Sequence, residues 1–230
     1  MAAPHGGTRP GYGPFDDPSY SEDHVEMDYR GTWHAFKTTT QDLMKKFGAD
    51  NLEAASLLTE IQTNAAFLDG KWTLWFNTHR ASSQYAMSDP YLTALHGDLR
   101  VLRKLKKEKV APASLDALRE VALDVQIKAD NCRNSSDGLG KEIKVKVHTK
   151  AAGKEIAGFE VYYVPRGLLD MKSARDRFPR ESSPTDEKIL NPGRYAMWAC
   201  KSGFTGQPET LTVGGHGETR LEVDLEVPAN

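Results

Sequence analysis

The sequence contains little cysteine: Cys132 and Cys200 are the only two among its 230 residues. Two thiols are too few for a disulfide-rich scaffold or for a zinc site built from cysteines. Two alternatives remain for this pair. A disulfide between them would tie the two halves of the chain together, whereas unpaired thiols would act as small buried groups. We expect the unpaired state, because a reducing cytosol keeps thiols free.

Neither sign of charge predominates, and long apolar runs are missing. The 30 Lys and Arg residues are balanced by 32 Asp and Glu residues, which offers no general attraction to nucleic acid or to an anionic membrane. No stretch approaches the roughly 18 consecutive apolar residues of a membrane span. The first residues lack the basic and then apolar pattern of a secretion signal. We therefore expect no nucleic-acid partner, no membrane span and a cytoplasmic location, or a secreted one if a leader has been removed.

Motifs that would indicate catalysis or a bound cofactor are also missing. No pair of histidines has the His-x-x-x-His spacing of a metal site on a helix, and no Glu-x-x-His occurs. The sequence has neither the Gly-x-x-x-x-Gly-Lys loop that cradles phosphate nor the Gly-x-Ser-x-Gly elbow of hydrolases. We expect a protein that is not an enzyme, with no catalytic residues, metal or cofactor. The histidines are His5, His24, His34, His79, His96, His148 and His216.

Residues 1–30 are rich in Gly, Pro and Tyr, and clustered Gly and Pro break both helices and strands. We expect an extended or disordered arm without a core of its own. Two alternatives remain for its acidic part, residues 15–28: it contacts a neighbouring subunit, or it is solvated or folded back on its own domain. The acidic residues of this part are Asp16, Asp17, Glu22, Asp23, Glu26 and Asp28.

Residues 31–133 have a helical period, because apolar residues recur at steps of three and four. Four amphipathic segments are separated by short links at Gly48, at Ser88-Asp89-Pro90 and at Ala111-Pro112. Asp50 is the expected N-cap of the second helix. Four such helices pack most simply as an antiparallel bundle, and a long coiled-coil hairpin is the alternative.

Residues 134–141, which are rich in Ser and Gly, form the expected linker between two domains. Beyond it, over 142–230, the period of the apolar residues changes to two. In the last predicted strand, 218–227, apolar residues alternate with Glu and Asp. Such alternation between turns predicts an antiparallel β-sandwich. The fold class is therefore α+β, with a helical bundle followed by a β-sandwich.

Two turns bracket a central strand in the β half. Asn191-Pro192-Gly193 precedes Arg194-Tyr195, and Lys201-Ser202-Gly203-Phe204 follows the strand. These turns resemble those of transthyretin-like, carboxypeptidase-regulatory-like and PEGA β-sandwich modules, and the resemblance covers about residues 141–228. Ig-like sandwiches use similar turns, and an insertion at 165–186 departs from the compact pattern. The resemblance implies a non-catalytic accessory or interaction module, with no catalytic residues to carry over.

The insertion 165–186 is the best candidate for a binding site, because long loops on the rim of a sandwich commonly carry recognition. The leading hypothesis is a non-catalytic interaction or structural protein within a larger assembly, with a protein partner or self-association. The alternative is a module that binds a glycan or a peptide at the sandwich rim. The candidate binding residues are Arg166, Lys172, Arg175, Arg177 and Arg180 in the loop, with Tyr162 and Tyr163 before it.

Overall fold

The computed structural model of the chain describes residues 29–79, 89–109, 111–134, 143–214 and 218–229. Helices occupy the first part of these residues and strands the second, so the predicted α+β class is confirmed. The predicted arm up to residue 28 and the predicted linker from residue 135 onward lie outside the described residues. The helices are α1 (Tyr29–Leu43), which continues into a π-helical turn at Met44–Gly48, α2 (Leu52–His79), α3 (Asp89–Lys107) and α4 (Pro112–Asn134). The strands are β1 (Ile143–Ala151), β2 (Lys154–Glu155), β3 (Glu160–Pro165), β4 (Asp176–Arg177), β5 (Lys188–Leu190), β6 (Gly193–Lys201), β7 (Phe204–Thr205), β8 (Glu209–Val213) and β9 (Arg220–Glu226).

The start of α2 differs by one residue from the prediction. The N–H of Ala54 donates to Asn51 Oδ1 at 2.9 Å, which satisfies one of the free donors in the first helical turn. Asn51 is therefore the N-cap, and the prediction of Asp50 was wrong. Both residue types can cap a helix, so the sequence alone did not distinguish them. None of the described helices is long and apolar enough to cross a membrane.

The helices share one core. Arg119 near the start of α4 binds Glu53 near the start of α2, whereas Arg133 near the end of α4 binds Asn64 further along α2. These contacts make α2 and α4 parallel, which is the relation of the second and fourth helices in an up-and-down bundle, where helices that follow one another in the chain are antiparallel. Fully buried members of the core include Phe36, Leu43, Phe47, Leu58, Ile61, Leu68, Leu99, Leu102 and Val125.

The strands form two sheets that pack around a second core. In the first sheet β1 pairs with β2, β5 and β9, and in the second β6 pairs with β3, β7 and β8 while β4 pairs with β3. Val145 and Val223 of the first sheet meet Val161 and Met197 of the second in this core. Inward-facing residues of two sheets that share one core are the arrangement of a layered β-structure.

The pairing of β1 with β9 is parallel, with Lys144 opposite Arg220 and Lys150 opposite Glu226. The prediction of an antiparallel sheet was wrong for this pair, although the other strand pairs in both sheets are antiparallel. β1 and β9 are the first and last strands of the β half, so no tight turn constrains their relative direction. Alternation of apolar and charged residues is identical in the two directions, and the sequence could not tell them apart.

β6 is the central strand of the second sheet, and both of its faces are buried. Tyr195 and the alternate residues that follow it face the core between the sheets. The opposite face, with Ala196 and Trp198, is covered by apolar side chains of segment 166–174. Part of the predicted loop 165–186 is therefore a packed cover over β6. Because of this packing, the first part of the predicted loop lies close to the helices.

No disulfide joins Cys132 and Cys200, so the disulfide alternative is not formed. Cys132 is buried in the helical core, and Cys200 is half-buried near the end of β6. Gly193 at the start of β6 contacts α4, the helix that carries Cys132. Cys200 lies seven residues further along the extended strand, a distance of about 23 Å. Cysteines whose Cα atoms are more than about 7 Å apart cannot be bridged without moving the backbone.

Candidate binding groove at the helix–sheet junction

Two glycines bring the helices and the sheets together. Gly97 lies on α3, and Gly167 lies in the 3-10 turn Arg166–Leu168 that follows β3. A Cβ atom on Gly167 would lie 2.5 Å from the carbonyl oxygen of Gly97 and 2.7 Å from its carbonyl carbon. The turn can approach the α3 backbone this closely only because Gly167 has no side chain.

A groove of about 1000 Å³ opens beside this contact. Its walls are α3 from Asp98 to Lys107, Glu108 just after that helix, α4 from Ala113 to Asp124, the segment 166–170, and Arg194 at the start of β6. We call it the junction groove. Its volume is at the upper end of the usual range for ligand sites. Because the helices and the sheets both contribute walls, the groove exists only while the two layers are docked.

Asp98 and Asp124 line the junction groove, and both bind the buried Lys128 of α4. Lys128 Nζ donates to Asp98 Oδ2 at 2.7 Å and also to a carboxylate oxygen of Asp124. Lys128 is 1% exposed and Asp98 is 4% exposed, so both are removed from water. The backbone N–H of Arg194 donates to Asp124 Oδ1 at 2.5 Å. This buried cluster (Asp98, Asp124 and Lys128) therefore links α3, α4 and β6.

Burial and neighbouring charges shift the pKa values of Asp98 and Lys128. Burial raises the pKa of the Asp98 carboxyl well above its ordinary range, and the nearby charge of Asp124 raises it further. Burial acts to lower the pKa of Lys128, but attraction to the two carboxyl groups more than offsets this and raises it. Burial therefore disfavours the ionised form of Asp98, whereas the two carboxyl groups favour the ammonium form of Lys128. A buried, hydrogen-bonded cluster of this kind suits a structural joint between the layers.

The acidic and the basic side chains that line the junction groove differ in whether they have a partner of opposite charge. Its described lining contains six acidic and six basic side chains. Lys107 and Arg166 are exposed, and within the described part of the chain neither has an acidic partner. Every acidic side chain of the lining, in contrast, has a cation within 4 Å: Asp98 and Asp124 bind Lys128, Glu108 faces Lys104, Asp116 binds Arg119, Glu120 binds Arg194, and Asp170 binds Arg100.

Apolar side chains lie between these charges. Val101, Leu105, Ala117, Val121 and Leu169 all contribute to the walls. Aliphatic surface beside unpaired cations suits a ligand that carries both carboxylates and apolar groups. An acidic peptide segment has this composition, whereas a small inorganic anion would leave the apolar walls unused.

Of the seven residues predicted to bind, only Arg166 lines the junction groove. The structure does not bring the five basic residues of the predicted loop into one site. The others lie outside the groove: Lys172 is exposed, Arg175 lies over Trp198, Arg177 pairs with Glu160, and Arg180 pairs with Asp186.

The two predicted tyrosines point to opposite faces of the second sheet. Tyr162 stacks on Trp198, with ring centres 5.8 Å apart, and Arg175 lies 5.3 Å from the centre of the Trp198 ring. Trp198 is only 5% exposed as a result. Tyr163 is buried in the core between the sheets, and its hydroxyl donates to Asp176 Oδ2 at 2.6 Å. The rim therefore presents no open indole face on which a sugar ring could stack.

The buried cluster was not predicted from the sequence, although the positions of its residues along the helices indicate it. Asp98 lies three residues after Leu95 and four before Leu102, so it falls on the apolar face of α3. Lys128 falls on the apolar face of α4, four residues after Asp124. Opposite charges on two apolar helix faces indicate a buried pair, because unpaired buried charges are rare.

The described histidines do not form a metal centre. His148 on β1 has Nδ1 2.6 Å from Glu155 Oε1 and Nε2 3.5 Å from Glu222 Oε2, at the outer surface of the first sheet. Within the described ranges, no group of three or more His, Cys, Asp or Glu side chains could hold a metal ion.

Comparisons with known proteins identify no family for this chain. No family model matches it, and no curated protein matches it. Among solved structures, the crystal structure of an (S)-allantoin synthase is similar over 57% of this chain and 56% of that chain, with a TM-score of 0.29 and 11% sequence identity. A similarity at this level assigns to the chain neither a fold family nor an activity.

Proposed function

We propose that the protein is a non-catalytic interaction protein and that its junction groove binds an acidic segment of a protein partner. The observation that carries this proposal is the unequal pairing of charge in the groove. Lys107 and Arg166 lack acidic partners among the described residues, whereas the acidic side chains of the lining are all paired. A carboxylate is the ligand group that would complete the pairing.

The chemistry of the walls favours a peptide as the ligand. An exposed ion pair contributes only about 0–1 kcal/mol, so two such pairs alone would give weak binding. Burial of apolar surface contributes about 25 cal/mol per Å², and the groove offers the partly exposed Val101, Ala117 and Leu169 for such contacts. Arg166 can also bind a carboxylate through two parallel hydrogen bonds, which adds orientation.

A binding role also agrees with the state of the titratable groups. Asp98 and Lys128 are nearly inaccessible to solvent, and each is hydrogen-bonded within the buried cluster. The cluster therefore supports the docking of the two layers and, through it, the shape of the groove.

The sandwich-rim alternative has less support. A glycan or peptide site around Tyr162 and Tyr163 would need exposed aromatic faces, but Tyr163 and Trp198 are buried. For the β half itself we propose the transthyretin-like or Ig-like sandwich that its turns resemble. Two sheets around one core support this assignment.

The test is a binding titration with a fluorescein-labelled peptide of Glu and Asp residues interleaved with Leu and Tyr. A second peptide with Gln and Asn in place of the acids measures the contribution of charge. We expect saturable binding of the acidic peptide below about 1 mM, the weak end of specific recognition. In the double variant Lys107→Glu/Arg166→Glu, the Kd should rise at least about 10-fold.

The control is Lys37→Glu/Lys154→Glu, which makes the same change of net charge at two exposed lysines that do not line the groove. Its Kd should stay within about 2-fold of the wild-type value, because salt at physiological concentration screens charges outside the site over about 8 Å. Equal loss in both double variants would mean that net charge alone attracts the peptide. That result, or no binding of the acidic peptide by any form of the chain, would contradict the proposal.

A further inference from the structure

We propose that residues 15–28 of the chain bind in the junction groove of the same molecule and mask it from other acidic partners. The inference rests on the proposed function, since it names an occupant for the same groove. This segment contains six acidic residues and no Lys or Arg, and it also contains Phe15 and Tyr20. It has the composition that the groove requires, namely carboxylates interleaved with aromatic groups.

The charges of the segment and the groove are complementary. Lys107 lies on α3 and Arg166 on the turn after β3, and both line the groove. A segment bound in the groove could place one carboxylate on each cation. The aromatic side chains of the segment would then cover the partly exposed Val101 and Ala117, which removes apolar surface from water.

The segment is long enough to reach the groove. The end of α1 lies beside the end of α3, where Lys106 Nζ is 2.6 Å from Asp42 Oδ2 and Lys46 Nζ is 3.1 Å from the carbonyl oxygen of Leu105. From Asp42 back to Tyr29 the helix is about 20 Å long. The 14 residues of the segment adjoin Tyr29 and can span at most about 50 Å. That reach exceeds the distance from the start of α1 to the groove.

Attachment to α1 favours the intramolecular contact. A segment joined to its site by a short linker has an effective concentration in the millimolar range, far above the concentration of a second copy in dilute solution. If the segment and a free acidic peptide bind the groove with similar strength, the tethered segment occupies it most of the time. The apparent affinity for the free peptide then falls in proportion to the fraction of molecules with an open groove.

The experiment uses the full chain with four acidic residues of the segment neutralised, Asp16→Asn/Asp17→Asn/Glu22→Gln/Asp23→Asn. A labelled synthetic peptide with the sequence of residues 15–28 is titrated into this variant and into the wild-type chain. We expect the variant to bind the peptide about 10- to 100-fold more tightly, because its groove is open. A control variant removes four exposed acidic residues elsewhere and should bind as the wild type does: Asp50→Asn/Glu60→Gln/Glu181→Gln/Glu209→Gln.

Hydrogen exchange and molecular mass complete the test. Amides in 98–107 and 113–124 should exchange faster in the segment variant than in the wild type. Equal peptide affinity and equal exchange in both chains would overturn the masking inference, while leaving the proposed function intact if the acidic peptide still binds. No binding to either chain would overturn both. A wild-type dimer at micromolar concentration that dissociates on neutralisation would place the segment in a second copy and overturn the intramolecular arrangement.

Discussion

Replacing Gly167 by alanine should destabilise the protein, because the new methyl group would meet the backbone of α3. Its Cβ atom would lie 2.5 Å from the oxygen of Gly97 and 3.0 Å from its Cα atom. Backbone atoms cannot rotate aside, so the turn and the helix must separate. Such overpacking costs about 1–3 kcal/mol, whereas a tolerated Gly→Ala change stabilises by about 0.4–1 kcal/mol through the unfolded chain. We expect a net loss of about 1–2 kcal/mol in the free energy of unfolding.

Gly97 provides a matched control on the other side of the same contact. A Cβ atom there would lie 3.5 Å from Leu168 Cγ and 3.6 Å from the Cα atom of Gly167, which is ordinary contact. Alanine is favoured over glycine inside a helix by about 1 kcal/mol, so Gly97→Ala should be neutral or stabilising. Urea denaturation followed by circular dichroism measures both variants, and midpoints can be compared if the denaturant slopes agree. If Gly167→Ala is as stable as Gly97→Ala, the close approach of the two backbones is not real.

Three further predictions concern the buried cluster and a helix cap. The pKa of Asp98 is raised on folding, so the folded state binds more protons than the unfolded state. The free energy of unfolding should therefore fall as pH rises from about 4. Urea denaturation of Asp98→Asn at several pH values should show no such fall. Lys128→Met leaves buried carboxyl groups without their cation and should lower the free energy of unfolding by about 3–5 kcal/mol. The double variant Lys128→Met/Asp98→Leu should recover part of this loss in urea denaturation. Asn51→Ala should lose about 1 kcal/mol, while Asp50→Ala should change the unfolding midpoint little because Asp50 does not cap α2.

The elements of the fold were largely predictable because local sequence patterns determine them. Apolar residues at steps of three and four marked the helices, and alternation marked β1, β3, β6 and β9. The relative directions of the strands were not predictable in the same way. The parallel β1–β9 pair arises from contacts between distant parts of the chain, and an alternation of apolar and charged residues does not reveal the direction of a strand.

The candidate site was less predictable than the fold. Arg166 was identified because it lies in a long basic loop. Lys107 was not identified, because it is one of several lysines in the last turn of α3, where any cation suits the helix dipole. Its place in a groove depends on the docking of segment 166–170 against α3. That docking depends in turn on the contact between Gly97 and Gly167. No local sequence pattern predicts a contact between two residues so far apart in the chain.

The most direct measurement is hydrogen–deuterium exchange of the chain with and without the acidic peptide, performed on the wild type and on the variant with a neutralised 15–28 segment. If the junction groove is the binding site, the peptide should protect 98–107, 113–124 and 166–170 together, since these segments form its walls. The protection should be lost in Lys107→Glu/Arg166→Glu. Protection confined to 160–164 and 175–180 at the sandwich rim, or none in either chain, would contradict the assignment of the groove.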